Sequence, residues 1–380
     1  MNDGIYFALP AEEYHALPRL SASGICNMLV SPGTYWADSW MNPDRAKKED
    51  EEATKAQILG TAYHVARLEP QRFATAYVRD LDPADFPGAL MNGTQIGEKL
   101  GEIGETKKKA GEDVLSQALR LRSAGYGGAI WTLLRDDFDR THADRIALKA
   151  QTYDEIVRDI ERIHAAPEIQ KHLEGGASEV SVLWTCKRTG VQMKARLDYL
   201  QFNAFTDFKT FDNYNGKNLD QFIADAFRFN RYYIQAAHYH DATEQIRDAD
   251  AGLQVYGSDE NRGLVDAIRQ QRNPLDAWYI FQEKRGIPNL LARKIRLYTK
   301  PAAGHDVNDA GSASELSEKV AEMTIRRTGL HMKARTEIDH ATNLFKFYRD
   351  EIGEERPWPP LNPSDELTDD NFPLSWLEQQ

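Results

Sequence analysis

The sequence predicts an α/β protein. Three short strand patterns follow one another between residues 179 and 210, and a further apolar strand pattern covers residues 277–283. A helical stripe of isoleucine and tyrosine side chains precedes the three strands, between residues 143 and 165. Another helical pattern follows them, from residue 219 to about residue 246. We therefore expect strands and helices to be mixed along one chain.

The three central strand patterns cover residues 179–185, 191–199 and 205–210. Gly190 lies in the turn between the first two, where it can take the positive φ that a tight hairpin often needs. In a strand, side chains two residues apart share one face. Asp207 and Lys209 therefore point the same way, with Phe208 on the opposite face.

The second strand adds a carboxylate and a cation to this pattern. Its apolar side chains alternate with polar ones, so Arg196 and Asp198 share the polar face. Carboxylates brought close together repel one another and need a compensating cation, and their hard oxygen atoms suit Mg²⁺ or Mn²⁺. A lysine beside such a metal can orient a water and balance charge on a phosphate. The alternative is a surface hairpin with scattered charges.

Composition limits the class of protein. The 380 residues carry a net charge of −12, which argues against a general nucleic-acid-coating protein but not against an enzyme with one positive channel. Two cysteines, Cys26 and Cys186, cannot form a four-cysteine zinc or iron–sulfur site. The sequence has no apolar run of about 18 residues and no signal-peptide pattern, so we expect a cytoplasmic protein without a membrane span.

Two helical patterns carry further candidate residues. His64 follows Gly60 in the first, residues 57–68, where a histidine can equally be a hydrogen-bonded core residue. Gln235 and Tyr239 lie four residues apart in the helix predicted over 219–246 and so share a face. The sequence has no GxxxxGK[ST] and no GxGxxG motif, so we expect no nucleotide cofactor. It also has no Gly-x-Ser-x-Gly motif, so it gives no support for a serine esterase.

The motifs, taken in order, resemble the RecB-like branch of the PD-(D/E)XK nucleases. In that branch a helix histidine precedes Asp…Asp-x-Lys and a Gln-x-x-x-Tyr helix follows. The stretches GIYFALPAEEYHALPRLSASGI and LGTAYHVARLEPQRF are similar to the opening and the histidine motif of the RecE-like (exonuclease VIII) family. The resemblance implies a restriction-endonuclease-like core with a central mixed β-sheet flanked by helices.

The same resemblance implies one nuclease domain over residues 1–360. Residues 79–130 match loosely and are expected to be an irregular arm or an insertion, in which Lys107–Lys109 either contact phosphates or lie on a solvated helix face. Residues 361–380 form an acidic tail that contains proline.

Roles follow from the resemblance together with the chemistry of each side chain. Asp198, Asp207 and the carbonyl of Phe208 are the expected ligands of a divalent metal. His64 would complete this set or bind a second ion, and Glu179 would bind a second metal or lie just outside the ligands of the first. Lys209 is expected to position the attacking water. Gln235 and Tyr239 are expected to hold phosphate or the DNA end, and Arg196 to contact phosphate or form a structural salt bridge.

The implied activity is that of a Mg²⁺-dependent, ATP-independent exonuclease, with Mn²⁺ as a substitute. It would degrade linear double-stranded DNA 5′→3′ and leave 3′ single strands for a partner annealing protein. Relatives form rings around DNA, and a homo-oligomeric ring would let an acidic chain hold DNA in a positive channel. Two alternatives stay open: a structure-specific or single-strand endonuclease on the same fold, and a non-catalytic module that binds DNA ends.

Overall fold

The structure is a computed structural model that describes residues 1–45, 55–213, 216–283, 289–299 and 326–360. The chain divides into two compact units, Met1–Ala53 with Glu168–Gln380 and Thr54–Pro167. The predicted tail, residues 361–380, lies outside the described residues. The division of the chain into a domain over 1–360 and this tail stays a prediction.

The strands, in chain order, are β1 Gly4–Tyr6, β2 Tyr77–Arg79, β3 Ile146–Leu148, β4 Ala177–Thr185, β5 Gln192–Leu200, β6 Ala204–Phe211, β7 Gln254–Tyr256, β8 Asp276–Glu283, β9 Leu290–Ile295, β10 Tyr298–Thr299 and β11 Arg326–Arg327. The helices are α1 Ala11–Ala16, α2 Ala22–Val30, α3 Pro32–Asp38, α4 Lys55–Leu68, α5 Pro70–Ala76, α6 Gly93–Glu102, α7 Val114–Ser123, α8 Trp131–Thr141, α9 Ala150–His164, α10 Pro167–Gln170, α11 Leu219–Phe229, α12 Tyr232–Arg247, α13 Asp259–Arg269 and α14 Gly329–Glu351. None of these helices has the length and apolar character needed to cross a bilayer.

A mixed, seven-stranded sheet forms the centre of the first unit. Its order is β7-β1-β4-β5-β6-β8-β9. Strands β4, β5 and β6 pair antiparallel, as consecutive strands joined by short turns do. Strand β6 then pairs parallel with β8. Helices α11 to α13 provide the crossover that such a parallel pair requires. This sheet confirms the predicted α/β fold with a central mixed sheet flanked by helices.

Alternating apolar residues of the central strands supply the core of the first unit. Val180, Val182 and Trp184 of β4 are buried, as are Met193, Ala195 and Leu197 of β5. Strand β5 leaves Arg196 and Asp198 partly exposed between these buried positions, as the period of two predicts. Gly190 in the turn has φ 69°, the conformation expected for this hairpin.

The helical pattern predicted over 219–246 is broken into two helices. Helix α11 ends at Phe229 and α12 begins at Tyr232. Between them, Arg231 takes the left-handed conformation, with φ 53° and ψ 35°. Such a residue cannot continue a right-handed helix, so the chain turns a corner here. Sequence periodicity missed the break because no proline or glycine marks it.

The N-terminal segment is held against β5 by a buried lysine. The Nζ of Lys194 donates to the carbonyls of Tyr14, His15 and Leu17, at 2.9, 3.1 and 2.9 Å. These carbonyls come from the last turn of α1 and the residue after it, where few N–H groups of the helix remain to bond them. This clamp brings residues 9–20 to the edge of the candidate site described below.

The second unit contains helices α4 to α9 around two small apolar cores. Ala62, Tyr63, Ala66, Phe73 and Ile156 belong to one core, and the parallel pair β2–β3 lies at its side. Ile96, Leu100, Leu121 and Ile130 belong to the other. Residues 79–130 were predicted to be irregular, but they include the amphipathic helices α6 and α7, whose apolar faces pack on each other.

The helix observed in the region 143–165 is shorter than the sequence pattern predicted, since it covers only Ala150–His164. Ile146 lies in β3 with its side chain 46% exposed, so it is not part of the helical core stripe. Helix α9 begins only at Ala150 and buries Ile156 and Ile163, which continue the predicted spacing.

Candidate metal-dependent hydrolytic site

Strands β5 and β6 separate at the point where the predicted carboxylates lie. Their pairing ends with Tyr199 opposite Thr206, and one step further the register would place Asp198 opposite Asp207. The Oδ2 atom of Asp198 instead accepts a hydrogen bond of 2.8 Å from the main-chain N–H of Phe208. In an extended strand the N–H and C=O of one residue face the same neighbour, so the Phe208 carbonyl lies on the Asp198 side of β6. The predicted role of that carbonyl as a metal ligand is compatible with this direction.

Asp207 and Lys209 meet on one face of β6, as the period of two requires. The Nζ of Lys209 lies 2.7 Å from Oδ2 of Asp207, whose side chain is only 1% exposed. The other oxygen of Asp207, Oδ1, accepts a 2.9 Å hydrogen bond from Nε2 of Gln235 on α12. The carboxylate is therefore fixed from both sides before any cation or substrate binds.

Electrostatics keeps Lys209 protonated. Burial lowers the pKa of Lys209, but the negative charges of Asp207 and Asp198 outweigh burial and raise the pKa above its ordinary value. Lys209 is therefore an ammonium group at neutral pH. It suits the stabilisation of negative charge and the orientation of a water, and it does not suit the role of a neutral base.

Helix α12 presents three side chains to this strand. Nε2 of Gln235 also donates to the hydroxyl oxygen of Tyr239, at 3.0 Å. Burial first, and then the charges of Asp207 and Asp198, raise the pKa of Tyr239, so its hydroxyl stays a neutral donor. The ring of Tyr232 lies 4.9 Å from Nζ of Lys209, a cation–π contact.

Tyr232 was missed in the sequence. Tyr232, Gln235 and Tyr239 follow the spacing i, i+3 and i+7, which places all three on one helix face. The spacing was readable once Gln235 and Tyr239 had been chosen.

Glu179 on β4 lies opposite Asp198 on β5. The pairs Ser178–Tyr199 and Val180–Leu197 bracket these two residues, and a carboxylate oxygen of Glu179 lies within 4.8 Å of one of Asp198. Glu179 forms an ion pair with Arg196, whose Nε donates to Oε2. Arg196 was predicted either to contact phosphate or to form a structural salt bridge. The salt bridge is present, and the phosphate contact stays a prediction.

His64 lies on α4 in the second unit, where its side chain is partly buried. The other candidate residues, Glu179, Arg196, Asp198, Asp207, Phe208, Lys209, Gln235 and Tyr239, all lie in the first unit. The role of His64 as a metal ligand stays a prediction.

The donor set in the first unit fits a hard divalent cation. Carboxylate oxygens from Glu179 and Asp198 lie close together, and Asp207 follows on the neighbouring strand. Mg²⁺ and Mn²⁺ prefer such oxygen ligands, whereas a zinc site would call for nitrogen or sulfur donors. Two carboxylates within 4.8 Å of each other repel, and a bound cation would relieve that repulsion.

The mixed sheet flanked by helices is the fold of the PD-(D/E)XK superfamily, and the carboxylates on neighbouring strands with an Asp-x-Lys pair are compatible with it. The family model described as "PDDEXK-like domain of unknown function (DUF3799)" matches residues 38–257. The chain belongs to this family. Membership of a PDDEXK-like family supports the interpretation of this chain as a nuclease.

Other comparisons add little. A search among curated proteins finds no match. One solved structure, described as a "Putative exonuclease" from Eubacterium rectale, is 14% identical to this chain, with a TM-score of 0.40. The alignment covers 96% of this chain and 92% of the other. A likeness at that level carries no functional conclusion.

Proposed function

We propose that this chain is a Mg²⁺-dependent, ATP-independent exonuclease, with Mn²⁺ as a substitute metal. It degrades linear double-stranded DNA 5′→3′ and leaves 3′ single strands for recombination, in the manner of the RecE-like family that the sequence resembles. The substrate is the end of a DNA duplex, and the bond broken is a phosphodiester.

One observation carries the chemical part of this proposal. Asp207 is held between Lys209, at 2.7 Å, and Gln235, at 2.9 Å, beside Asp198 on the neighbouring strand. A carboxylate pair with an adjacent ammonium suits the hydrolysis of a charged ester, because both the cation and the developing negative charge need fixed partners. A surface hairpin with scattered charges would not bury Asp207 to 1% exposure.

Each side chain has a proposed part in the reaction. Glu179, Asp198, Asp207, the Phe208 carbonyl and His64 would hold the metal, which when bound lowers the pKa of water and stabilises charge on phosphate. Lys209 orients the attacking water through its ammonium group and balances the charge that develops on the phosphate. Tyr239 donates a hydrogen bond from its hydroxyl to the phosphate. Gln235 holds both Tyr239 and Asp207 in place.

The corner between α11 and α12 offers a surface for the DNA end. Arg228, Phe229 and Asn230 are exposed there, and Phe229 is 70% exposed. The corner lies directly before Tyr232, which contacts the active-site lysine. An exposed aromatic ring flanked by arginines suits stacking on a terminal base and contact with its phosphates.

We also propose that the protein works in the cytoplasm of a bacterial or phage-infected cell, as a homo-oligomeric ring that passes its single strand to an annealing protein. The net charge of −12 supports a ring, because an acidic chain needs an enclosed, locally positive path to hold DNA. A monomer in light scattering, at concentrations where DNA is digested processively, would contradict the ring.

The direct test of the exonuclease proposal uses one linear duplex, labelled at either its 5′ or its 3′ ends, beside the covalently closed circular form. With Mg²⁺ present, we expect early release of the 5′ label, late release of the 3′ label and an intact circle. Early release of the 3′ label would reverse the proposed polarity. A nicked circle would identify an endonuclease instead. Binding to DNA ends without cleavage in Mg²⁺ or Mn²⁺ would identify a non-catalytic module.

A further inference from the structure

Glu179 has an unusual backbone for a strand residue. It has a positive φ of 56° although it is the third residue of β4. The residues on both sides keep their antiparallel register with β5, Ser178 opposite Tyr199 and Val180 opposite Leu197. A glutamate disfavours this conformation, which persists only where surrounding contacts compensate for its strain. Such outliers cluster at functional sites.

Arg196 is one of the contacts that hold Glu179. Its Nε donates to Oε2 of Glu179, and its Nη1 donates to the Leu9 carbonyl at 2.7 Å and approaches Oγ of Ser181 at 3.4 Å. The two side chains of the ion pair are only 11% and 12% exposed. The guanidinium therefore has fixed partners on β4 and on the N-terminal segment.

We propose that Arg196 is a positioning residue for the metal site. It holds one oxygen of Glu179 and so keeps that carboxylate beside the carboxylate of Asp198, where both can bind the same divalent cation. This inference rests on the function proposed above and assigns Arg196 a part in metal binding in place of phosphate contact.

The charge of Arg196 gives it this role. Two partly buried carboxylates within 4.8 Å of each other repel, which would push their oxygen atoms apart. The guanidinium of Arg196 is a permanent positive charge in contact with Glu179, so it offsets that repulsion before the cation arrives. The planar guanidinium also fixes the direction of its hydrogen bond to the Glu179 carboxylate, which a lysine ammonium does less well.

A phosphate-binding role would require different behaviour. Nε and Nη1 of the guanidinium already donate to Glu179 and the Leu9 carbonyl, so a DNA phosphate would have to compete with these partners or bind at Nη2. The two roles therefore separate in the absence of DNA. A positioning residue affects cation affinity in the free protein, whereas a phosphate ligand affects only DNA affinity.

The test measures Mn²⁺ affinity of the full chain, without DNA, by the loss of the free-ion electron paramagnetic resonance signal. The variants are Arg196→Gln, Arg196→Lys, Glu179→Gln and the double variant Arg196→Gln with Glu179→Gln. Arg188→Gln, at the exposed hairpin turn, is the matched control. DNA affinity is measured beside it in EDTA, by fluorescence anisotropy.

We expect Arg196→Gln to weaken Mn²⁺ binding by about 10- to 100-fold, the range for residues that orient metal ligands. Arg196→Lys should restore part of the loss, since it keeps the charge and loses the fork. The double variant should bind no worse than Glu179→Gln alone, because the arginine acts through the glutamate. DNA affinity in EDTA and the control should not change.

Two results would overturn the inference. One is unchanged Mn²⁺ affinity in both folded Arg196 variants, and the other is a loss in the double variant that is the sum of the single losses. Weaker DNA binding in EDTA with normal Mn²⁺ affinity would establish phosphate contact instead. If the wild-type chain binds Mn²⁺ as predicted but cuts no DNA, the positioning role stands and the proposed function fails. Circular dichroism checks each variant, and Arg196→Lys remains decisive if Arg196→Gln does not fold.

Discussion

At the scale of single residues, each acidic side chain of the site has its own fixed partner. Asp198 accepts from the Phe208 N–H, Asp207 contacts Lys209 and Gln235, and Glu179 pairs with Arg196. The strand period of two was enough to predict that Asp207 and Lys209 meet. It could not predict the positive φ of Glu179 or the residue that pairs with it, because a glutamate in a strand pattern gives no sign of positive φ.

The contact between Gln235 and Asp207 gives a first prediction. Gln235→Ala removes the donor that fixes Oδ1 of Asp207, so the carboxylate gains freedom while the sheet keeps its core. We expect cleavage activity to fall by about 10- to 100-fold, as for other partners of metal ligands. Rates on linear duplex at several Mg²⁺ concentrations measure the loss.

The control for this change is Gln221→Ala, which alters an exposed glutamine on α11. We expect it to behave like the wild type. Part of the Gln235→Ala loss should disappear at high Mg²⁺, because the metal can then order the carboxylate itself. A variant with wild-type rates at every Mg²⁺ concentration would exclude a positioning role for Gln235.

Acid sensitivity of the core gives a second prediction. His238 on α12 is fully buried, and its Nε2 lies 2.8 Å from the Lys194 carbonyl. Burial lowers the pKa of His238 to about 4. The unfolded chain, with a pKa near 6.5, binds the proton more readily between those two values. His238 therefore contributes stability that is present above about pH 6.5 and lost as the pH falls towards 4, up to about 3 kcal/mol.

Urea denaturation at pH 7.5 and pH 4.5 measures this contribution. Other groups also titrate between those values, so the informative quantity is a difference between variants. We expect His238→Gln to lose less stability on acidification than the wild type, and His340→Gln, an exposed histidine on α14, to lose as much as the wild type. Equal losses in all three proteins would show that His238 does not set the acid limit.

At the scale of elements, the pattern of the central strands predicted the sheet better than the helical patterns predicted the helices. Strands β4 to β6 lie close to their predicted positions because apolar alternation and a glycine turn both mark them. The break between α11 and α12 was not predictable, since Arg231 takes a conformation that few arginines adopt. The core of the second unit that contains Ile96, Leu100, Leu121 and Ile130 was missed for another reason, because α6 and α7 have only ten residues each and show fewer than three turns of periodicity.

The corner created by that break gives a third prediction. Phe229→Ala removes the ring proposed to stack on the terminal base, and stacking contributes about 1–3 kcal/mol per base. We expect DNA-end affinity to fall by about 10-fold or more, with the free energy of unfolding unchanged because the ring is 70% exposed. The measurement is binding in Ca²⁺, with 2-aminopurine as the terminal base.

The matched control is Phe347→Ala, which removes another exposed ring, 50% accessible, on α14. It should leave both affinity and 2-aminopurine fluorescence as in the wild type. Phe229→Ala should bring the probe's fluorescence closer to that of free DNA. Unchanged fluorescence in Phe229→Ala would mean that the corner does not contact the terminal base.

At the scale of the whole molecule, the order of the motifs predicted more than any motif alone. Asp-x-Lys is a common pattern, yet with the later Gln-x-x-x-Tyr it pointed to the superfamily whose family model matches residues 38–257. An isolated Asp-x-Lys pattern does not show whether its aspartate is buried. In this fold the Asp207 side chain is only 1% exposed. Net charge gave no such help, because −12 describes the whole chain and not the surface that meets DNA.

The central claim is that a metal site containing Asp207 hydrolyses DNA, and the most direct measurement is digestion of a labelled linear duplex by wild type, Asp207→Ala and the exposed control Asp250→Ala. Each protein is assayed with Mg²⁺ and with EDTA. The account predicts that wild type and Asp250→Ala degrade the duplex only with Mg²⁺, and that Asp207→Ala is slower by at least about 100-fold, since a lost ligand removes several kcal/mol of charge stabilisation. Degradation in EDTA, or wild-type rates in a folded Asp207→Ala protein, would contradict it.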